Sequence, residues 1–266
     1  MNDSKCHMKK YQSDFTVTGN SFLTENAILL TLRCSVELPE INAGQFAQLQ
    51  VPNTEGVMLR RPISIHSVDR QSNSIEFLVQ LVGPGTNGLA KLKVGETVNV
   101  IYPLGNGFSV DRPMRRAILI GGGVGVAPLL ELGKVLREKG VEFSYLFGCR
   151  TDKHLLRLDE FRKVAPVEVS TQDGSMGDNG LVTENHVLQG NVGFDMVFCC
   201  GPTPMMKAVA KYASERNIAC EVSLEHKMAC GIGACLCCVE DTKDEGNVCI
   251  CKEGPVFNIE KLKWLN

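Results

Sequence analysis

From residue 11 to about residue 102, apolar and polar positions alternate in short runs: "DFTVTGN", "AILLTLRCSV", "QFAQLQV", "ISIHSV", "SIEFLVQLV" and "ETVNVIY". Gly, Pro, Asn and charged residues separate them. A strand turns successive side chains to opposite faces, so this pattern predicts an antiparallel barrel or sandwich. A short helix is expected after Thr86 in "TNGLAKL". The stretch "PLGNGFSVDRPM" at 103–114 is rich in Gly and Pro and marks a domain boundary.

Beyond it the rhythm changes. "RRAILI", "GGGVGVAP" and "LLELGKVLREKG" read as strand, glycine turn and helix, and "VEFSYLFG" as the next strand. The alternation continues through "APVEVSTQD", "LVTENHVLQ", "FDMVFCC", "PTPMMKAVAKYASERN" and "IACEVSL". Strands alternating with helices of this length predict a parallel sheet with helices on both faces. A third, cysteine-rich piece begins at Glu225 and ends in "FNIEKLKWLN". The expected fold class is multi-domain, all-β plus α/β: an antiparallel β-barrel over 1–110, a parallel-sheet α/β domain over 111–224 and a small C-terminal domain over 225–266. No internal repeat or low-complexity tract stands out.

Composition narrows the partners more than the fold. A chain of 266 residues with 44% hydrophobic and 22% charged residues is ordinary for a soluble globular protein of about two or more domains. A net charge of -2 gives no support for a nucleic-acid or anionic-membrane surface. The N-terminal "MNDSKCHMKKYQSDF" holds no apolar signal stretch, and no apolar run approaches the ~18 residues that span a bilayer. A cytoplasmic location is expected.

Half of the chain's 12 cysteines lie between Cys230 and Cys251. In a reducing compartment such density points to metal ligation or redox chemistry rather than disulfides. Cys6, Cys34, Cys149 and Cys220 read as small buried hydrophobes. Within "CGIGACLCCVE", Cys230, Cys235 and Cys238 follow C-x4-C-x2-C spacing. With a distant fourth cysteine this is the plant-type [2Fe-2S] pattern. Gly231, Gly233 and Ala234 suit a tight loop whose backbone N–H groups reach the sulfurs. Structural zinc is the competing reading, but its ligands come as C-x2-C knuckles, which the wider first step does not match. Spacing alone leaves Cys249 and Cys251 both open as the fourth ligand, and Cys237 is expected to point away.

The remaining motifs are weaker one by one. In "RRPISI", Arg61 offers a phosphate a bidentate partner and Ser64 a donor, while Gly85 and Thr86 of "GPGTNGL" open a helix toward an anion. An Arg-Pro pair is as readily a solvated strand edge. "ILIGGGVGVAPLLEL" is a glycine turn suited to backbone approach to a pyrophosphate, with Gly122, Gly123 and Gly125 as candidates. Val126 stands where a third glycine of G-x-G-x-x-G would be, and a plain strand-to-helix turn is the alternative. Cys200, Gly201 and Pro202 follow a strand, at the edge where open parallel sheets bind ligands; Pro202 could instead simply open a helix.

Taken in order, R-P-I-S, G-x-G-T, G-G-G-x-G-x-x-P and C-G-P resemble the ferredoxin reductase superfamily. The tail "SLEHKMACGIGACLCCVE…VCICKEGPVF" resembles, more narrowly, the electron transfer subunits of two-subunit, NAD-dependent dihydroorotate dehydrogenases. The resemblance implies FAD against the barrel, held by Arg61, Pro62, Ile63, Ser64, Leu78, Val79, Gln80, Gly85 and Thr86. It implies NAD at the glycine turn and the C-G-P segment. It also favours Cys251, just before G-P-V-F, as the fourth ligand, which leaves Cys237 and Cys249 surplus.

Further implications are a flavin between the two-electron nicotinamide and the one-electron cluster, a dihydroorotate dehydrogenase catalytic subunit as partner, and a heterotetramer of two such pairs. No catalytic acid, base or nucleophile is expected from this chain, and His66, His154 and His186 read as structural or surface residues. Ile232, Leu236 and Val256 are candidates for the partner interface, with the small domain's own core as the alternative. Arg150 leaves NAD against NADP open. The competing functions are a diaphorase subunit of a hydrogenase or ferredoxin-NADP transhydrogenase complex, and a zinc-stabilised, non-catalytic binding module.

Overall fold

The computed structural model describes residues 9–190 and 193–264; Cys6 lies outside them. Strands β1 (Tyr11–Thr24), β2 (Ala27–Cys34), β3 (Phe46–Leu49), β4 (Arg61–Asp69), β5 (Ser74–Gln80) and β6 (Thr97–Leu104) pair antiparallel in the order β1-β2-β5-β4-β3-β6. Pairing of β6 back onto β1, from Tyr11 opposite Tyr102 to Thr16 opposite Thr97, closes a barrel and removes its free edges. Phe15, Leu30, Ile75, Phe77, Val98 and Val100 fill the interior. Helix α1 (Pro84–Ala90) follows β5, with Pro84 at its first turn, where a missing N–H costs nothing.

A seven-stranded sheet forms the next layer, from β7 (Arg116–Gly122), β8 (Glu142–Cys149), β9 (Val167–Thr171), β10 (Asp178–Asn179), β11 (Met196–Cys200) and β12 (Ala219–Ser223), plus a last strand from the C-terminal piece. The six run parallel. Helices α2 (Leu129–Glu138), α3 (Leu158–Arg162), α4 (His186–Gln189) and α5 (Thr203–Glu215) connect them. Along β7, Ala117 and Leu119 pack into the core that contains α2, while Ile118 and Ile120 pack into the core that contains α5. Helices therefore cover both faces, which is why these strands read as continuous apolar runs.

The C-terminal piece is stitched into this sheet. After the hairpin β13 (Val239–Thr242) and β14 (Gly246–Cys249), and a single turn α6 (Ile250–Glu253), strand β15 (Val256–Asn258) pairs antiparallel with β12, Phe257 opposite Val222. The 103–114 segment is clamped to it as well: Asn106 N–H donates to Gly254 O at 2.6 Å, and its Nδ2 donates to Lys252 O at 3.2 Å and Glu253 O at 3.0 Å. Val256 is 8% exposed and packs in the same core as Phe108, so of the two readings open for it burial in a core holds, whereas Ile232 and Leu236 are exposed. Among the described residues, no helix is long and apolar enough to cross a membrane.

Candidate functional site

A cleft of about 490 Å³ opens between the barrel and the parallel sheet. Arg61, Pro62, Ile63 and Ser64 line it from β4, Leu78 and Gln80 from β5, and Thr86 from α1. Val124, Gly125, Ala127, Pro128 and Cys200 close the opposite side. The volume and the mostly apolar wall with few polar groups are those of a cofactor site. Val79 departs from its neighbours: strand alternation turns its side chain into the barrel core rather than the cleft. Gly85 acts by being small, since a Cβ there would lie 1.9 Å from Arg61 Nε. That leaves room for the Arg61 side chain, whose Nη1 donates to Leu59 O at 2.9 Å and Arg60 O at 3.2 Å. Thr86 Oγ1 accepts from Val82 N–H at 2.9 Å, holding the turn from β5 into α1.

A second cleft of about 590 Å³ lies at the carboxyl ends of the parallel strands. Gly122, Gly123, Gly201 and Pro202 line it with Arg150, His154, Gln172 and Met205. The glycine turn is a 3₁₀ segment, Gly123–Val126, and α2 begins at Leu129, where the sequence places the helix. Val126 fills the third-glycine position by packing on Gly121, where a Cβ would meet its Cγ1 at 2.7 Å. At Gly125 a Cβ would lie 2.5 Å from Cys200 O, so only glycine lets the turns after β7 and β11 touch. Cys149, expected to be a buried hydrophobe, is half-buried on this cleft; Cys34 and Cys220 are buried.

Gln80, Val124 and Glu225 line both clefts. Sequence reasoning singled out Gln80 but missed a site role for Glu225. Its signal was positional, since it follows the end of β12, on the edge where parallel sheets bind ligands. The Glu225 carboxylate is reached by solvent through the clefts, yet the surrounding walls desolvate it and raise its pKa above an ordinary glutamate. Cys200 is pushed up to about 12, first by burial and then by the Glu225 charge, so it stays a neutral thiol.

From the flavin-side cleft the chain runs through His226, Lys227 and Met228 straight into the cysteine loop. Cys230 Sγ accepts backbone N–H groups from Ala234 at 3.3 Å, Cys235 at 3.4 Å and Ile232 at 3.5 Å. Burial works to raise its pKa, but these donors and the Cys235 thiol prevail and bring it down to about 6. Gly233 N–H donates to Cys251 Sγ at 3.1 Å, and Cys251 N–H to Cys238 Sγ at 3.4 Å.

Backbone N–H groups thus meet the sulfurs of Cys230, Cys238 and Cys251. Cysteine sulfurs ringed by backbone N–H donors fit an iron-sulfur centre. Cys249 ends β14 while Cys251 sits on α6, so the two do not share one strand. Cys237 is exposed, with its thiol on Lys227 O at 3.8 Å.

Barrel, parallel sheet and cysteine loop together define a flavin- and nicotinamide-binding oxidoreductase with an iron-sulfur centre. Residues 14–108 match the oxidoreductase FAD-binding domain and residues 119–211 the oxidoreductase NAD-binding domain. Residues 225–263 match the iron-sulfur cluster binding domain of dihydroorotate dehydrogenase B. The dihydroorotate dehydrogenase B (NAD(+)) electron transfer subunit of Clostridium perfringens is 43% identical over 82% of this chain and 86% of its own. That of Bacillus velezensis is 38% identical over 96% of this chain and 99% of its own. The chain belongs to the family of dihydroorotate dehydrogenase B electron transfer subunits. A solved NADH-dependent reduced ferredoxin-NADP oxidoreductase, studied for flavin-based electron bifurcation, superimposes with a TM-score of 0.84 at 27% identity, covering 94% of this chain and 90% of that one.

Proposed function

We propose that this chain takes electrons from dihydroorotate oxidation on a catalytic partner subunit and delivers them through a [2Fe-2S] cluster and FAD to NAD, in pyrimidine biosynthesis. The observation that carries this reading is the continuity of the three sites. The clefts share Gln80, Val124 and Glu225, and Met228 of the flavin-side cleft precedes Cys230 by two residues.

Bound in its cleft, FAD supplies the exchange between hydride pairs and the single electrons that a cluster carries. Arg61 offers its guanidinium fork to the phosphates, Ser64, Gln80 and Thr86 offer polar groups, and Pro62, Ile63 and Leu78 keep water off one wall. The Val79 and Gly85 backbone belongs to the same surface. Gly122 and Gly123 let the backbone approach the dinucleotide, Gly201 and Pro202 close that site past the end of β11, and Gly125 against Cys200, on the flavin-side wall, holds the two turns together. Cys230, Cys235, Cys238 and Cys251 are the proposed ligands, supported by their spacing and by the backbone N–H donors on Cys230, Cys238 and Cys251. This chain supplies position and electrostatics, and proton chemistry on dihydroorotate belongs to the partner.

The assembly in this reading is a cytoplasmic heterotetramer of two such pairs. The free state of the described cysteines suits a reducing compartment. A diaphorase role in another complex is less favoured, because the 43% relative and the cluster-domain match both carry the dihydroorotate dehydrogenase name while the transhydrogenase-like neighbour is 27% identical. The C-x4-C first step, unlike a C-x2-C knuckle, disfavours the zinc module. The test is reconstitution. The isolated chain is expected to oxidise NADH with artificial acceptors but not to turn over dihydroorotate, and co-expression with a dihydroorotate dehydrogenase catalytic subunit is expected to restore NAD-linked orotate formation. Reduction of NAD by dihydroorotate with the chain alone, or failure to form a stable complex, refutes the reading.

A further inference from the structure

Strand β3 is buried on both faces. Ala47 and Leu49 turn into the barrel core, and strand alternation sends Phe46 and Gln48 outward. Phe46 lines the flavin-side cleft and joins the apolar core that also holds Cys238 and Cys251. Gln48 has no exposed surface, and its register partner on β4 is Pro62, another residue of that cleft.

The Gln48 carboxamide is aimed at the cysteine loop. A Cβ added to Gly231 would come 2.3 Å from Gln48 Nε2 and 2.9 Å from its Cδ, so the amide lies directly on that residue. Gly231 has a φ of +69°, the left-handed conformation in which the loop bends immediately after Cys230. Neither Nε2 nor Oε1 of Gln48 has a hydrogen-bond partner. A buried carboxamide without partners costs stability that leucine or methionine of similar size would not, so its retention here needs a reason. The donors to Cys230 come from the loop's own backbone, whereas Gln48 meets the loop from the barrel side.

We propose that Gln48 is a positioning residue for the iron-sulfur centre: its Nε2–H donates to the sulfur shell from the side facing the flavin and raises the reduction potential of the centre. This rests on Cys230, Cys235, Cys238 and Cys251 being the ligands. Hydrogen bonds to cluster sulfurs draw density from them and stabilise the form that holds the extra electron. A donor between the two cofactors favours electron arrival at the cluster from the partner subunit, and its loss pushes that electron back.

The test uses the full chain, loaded with iron and flavin, as wild type and as Gln48→Leu and Gln48→Met, which keep bulk and remove the donor. Redox titration followed by EPR is expected to show the reduced-to-oxidised ratio of the cluster falling about tenfold at fixed potential, a shift of ~59 mV for a one-electron couple. The g-values of the reduced cluster should move with it, at unchanged iron and flavin content. Unchanged potential and g-values in fully loaded variants overturn the proposal. Loss of iron from both variants with flavin retained also overturns it, because Gln48 would then be only a structural support of the loop. A wild-type chain without a [2Fe-2S] signal would instead refute the ligand assignment.

Discussion

The backbone N–H of Gly233 lies 3.1 Å from the sulfur of Cys251, a residue 18 positions further along the chain. That contact draws Cys251, and not Cys249, into the loop that begins at Cys230. It comes about because β14 ends at Cys249 and the chain then turns through α6, so two residues that alternate in sequence diverge in space.

The purified chain is therefore expected to be coloured, with flavin and sulfur-to-iron charge-transfer bands and about two irons per chain. Cys251→Ser should lose the cluster, and Cys249→Ser should keep it. Iron analysis and visible spectra read the outcome; the reverse pattern assigns the fourth ligand to Cys249, and a colourless folded protein revives the zinc module.

Arg61→Ala should weaken FAD retention. A phosphate enclosed in the cleft would lose a charge-assisted partner, about 2 kcal/mol, or roughly thirtyfold in Kd. Flavin occupancy after dialysis measures this, and full occupancy would speak against the barrel-side site.

Gly125→Ala places a methyl 2.5 Å from Cys200 O and 2.6 Å from its carbonyl carbon. Because backbone cannot step aside as a side chain does, the nucleotide turn must shift, at about 1–3 kcal/mol of stability. NADH-dependent flavin reduction is expected to slow by on the order of tenfold to a hundredfold. Stopped-flow kinetics with a parallel melting curve separates the two effects.

His66 sets an acid limit on the fold. Its Nδ1–H donates to Ala127 O at 2.7 Å across the contact between β4 and α2, and it is fully buried. Burial first, then Arg157 and Lys134, depress its pKa to about 4, against opposing contributions from the Ala127 hydrogen bond and Glu160. Below its unfolded value of 6.5 the unfolded chain takes up a proton that the folded chain refuses until about pH 4. Stability is expected to fall with decreasing pH through that window, by up to about 3 kcal/mol. Urea unfolding at pH 7 and pH 5 should show the loss, and His66→Asn should flatten it.

The period-2 runs, the switch to strand-and-helix alternation and the C-x4-C-x2-C spacing were all legible in the sequence, because each is a local pattern with a local physical cause. The runs by themselves left barrel and sandwich both open; the expected barrel is closed by pairing of Tyr11 with Tyr102, a long-range contact to which no run of residues points. The attachment of β15 to the sheet, which buries Val256 instead of presenting it to a partner, was not legible. Gln48 looks like an outward, solvated position of an alternating strand, yet it has no exposed surface. Alternation determines which side chains leave the barrel. What covers them, here the cysteine loop at Gln48, is decided only when distant parts of the chain pack together.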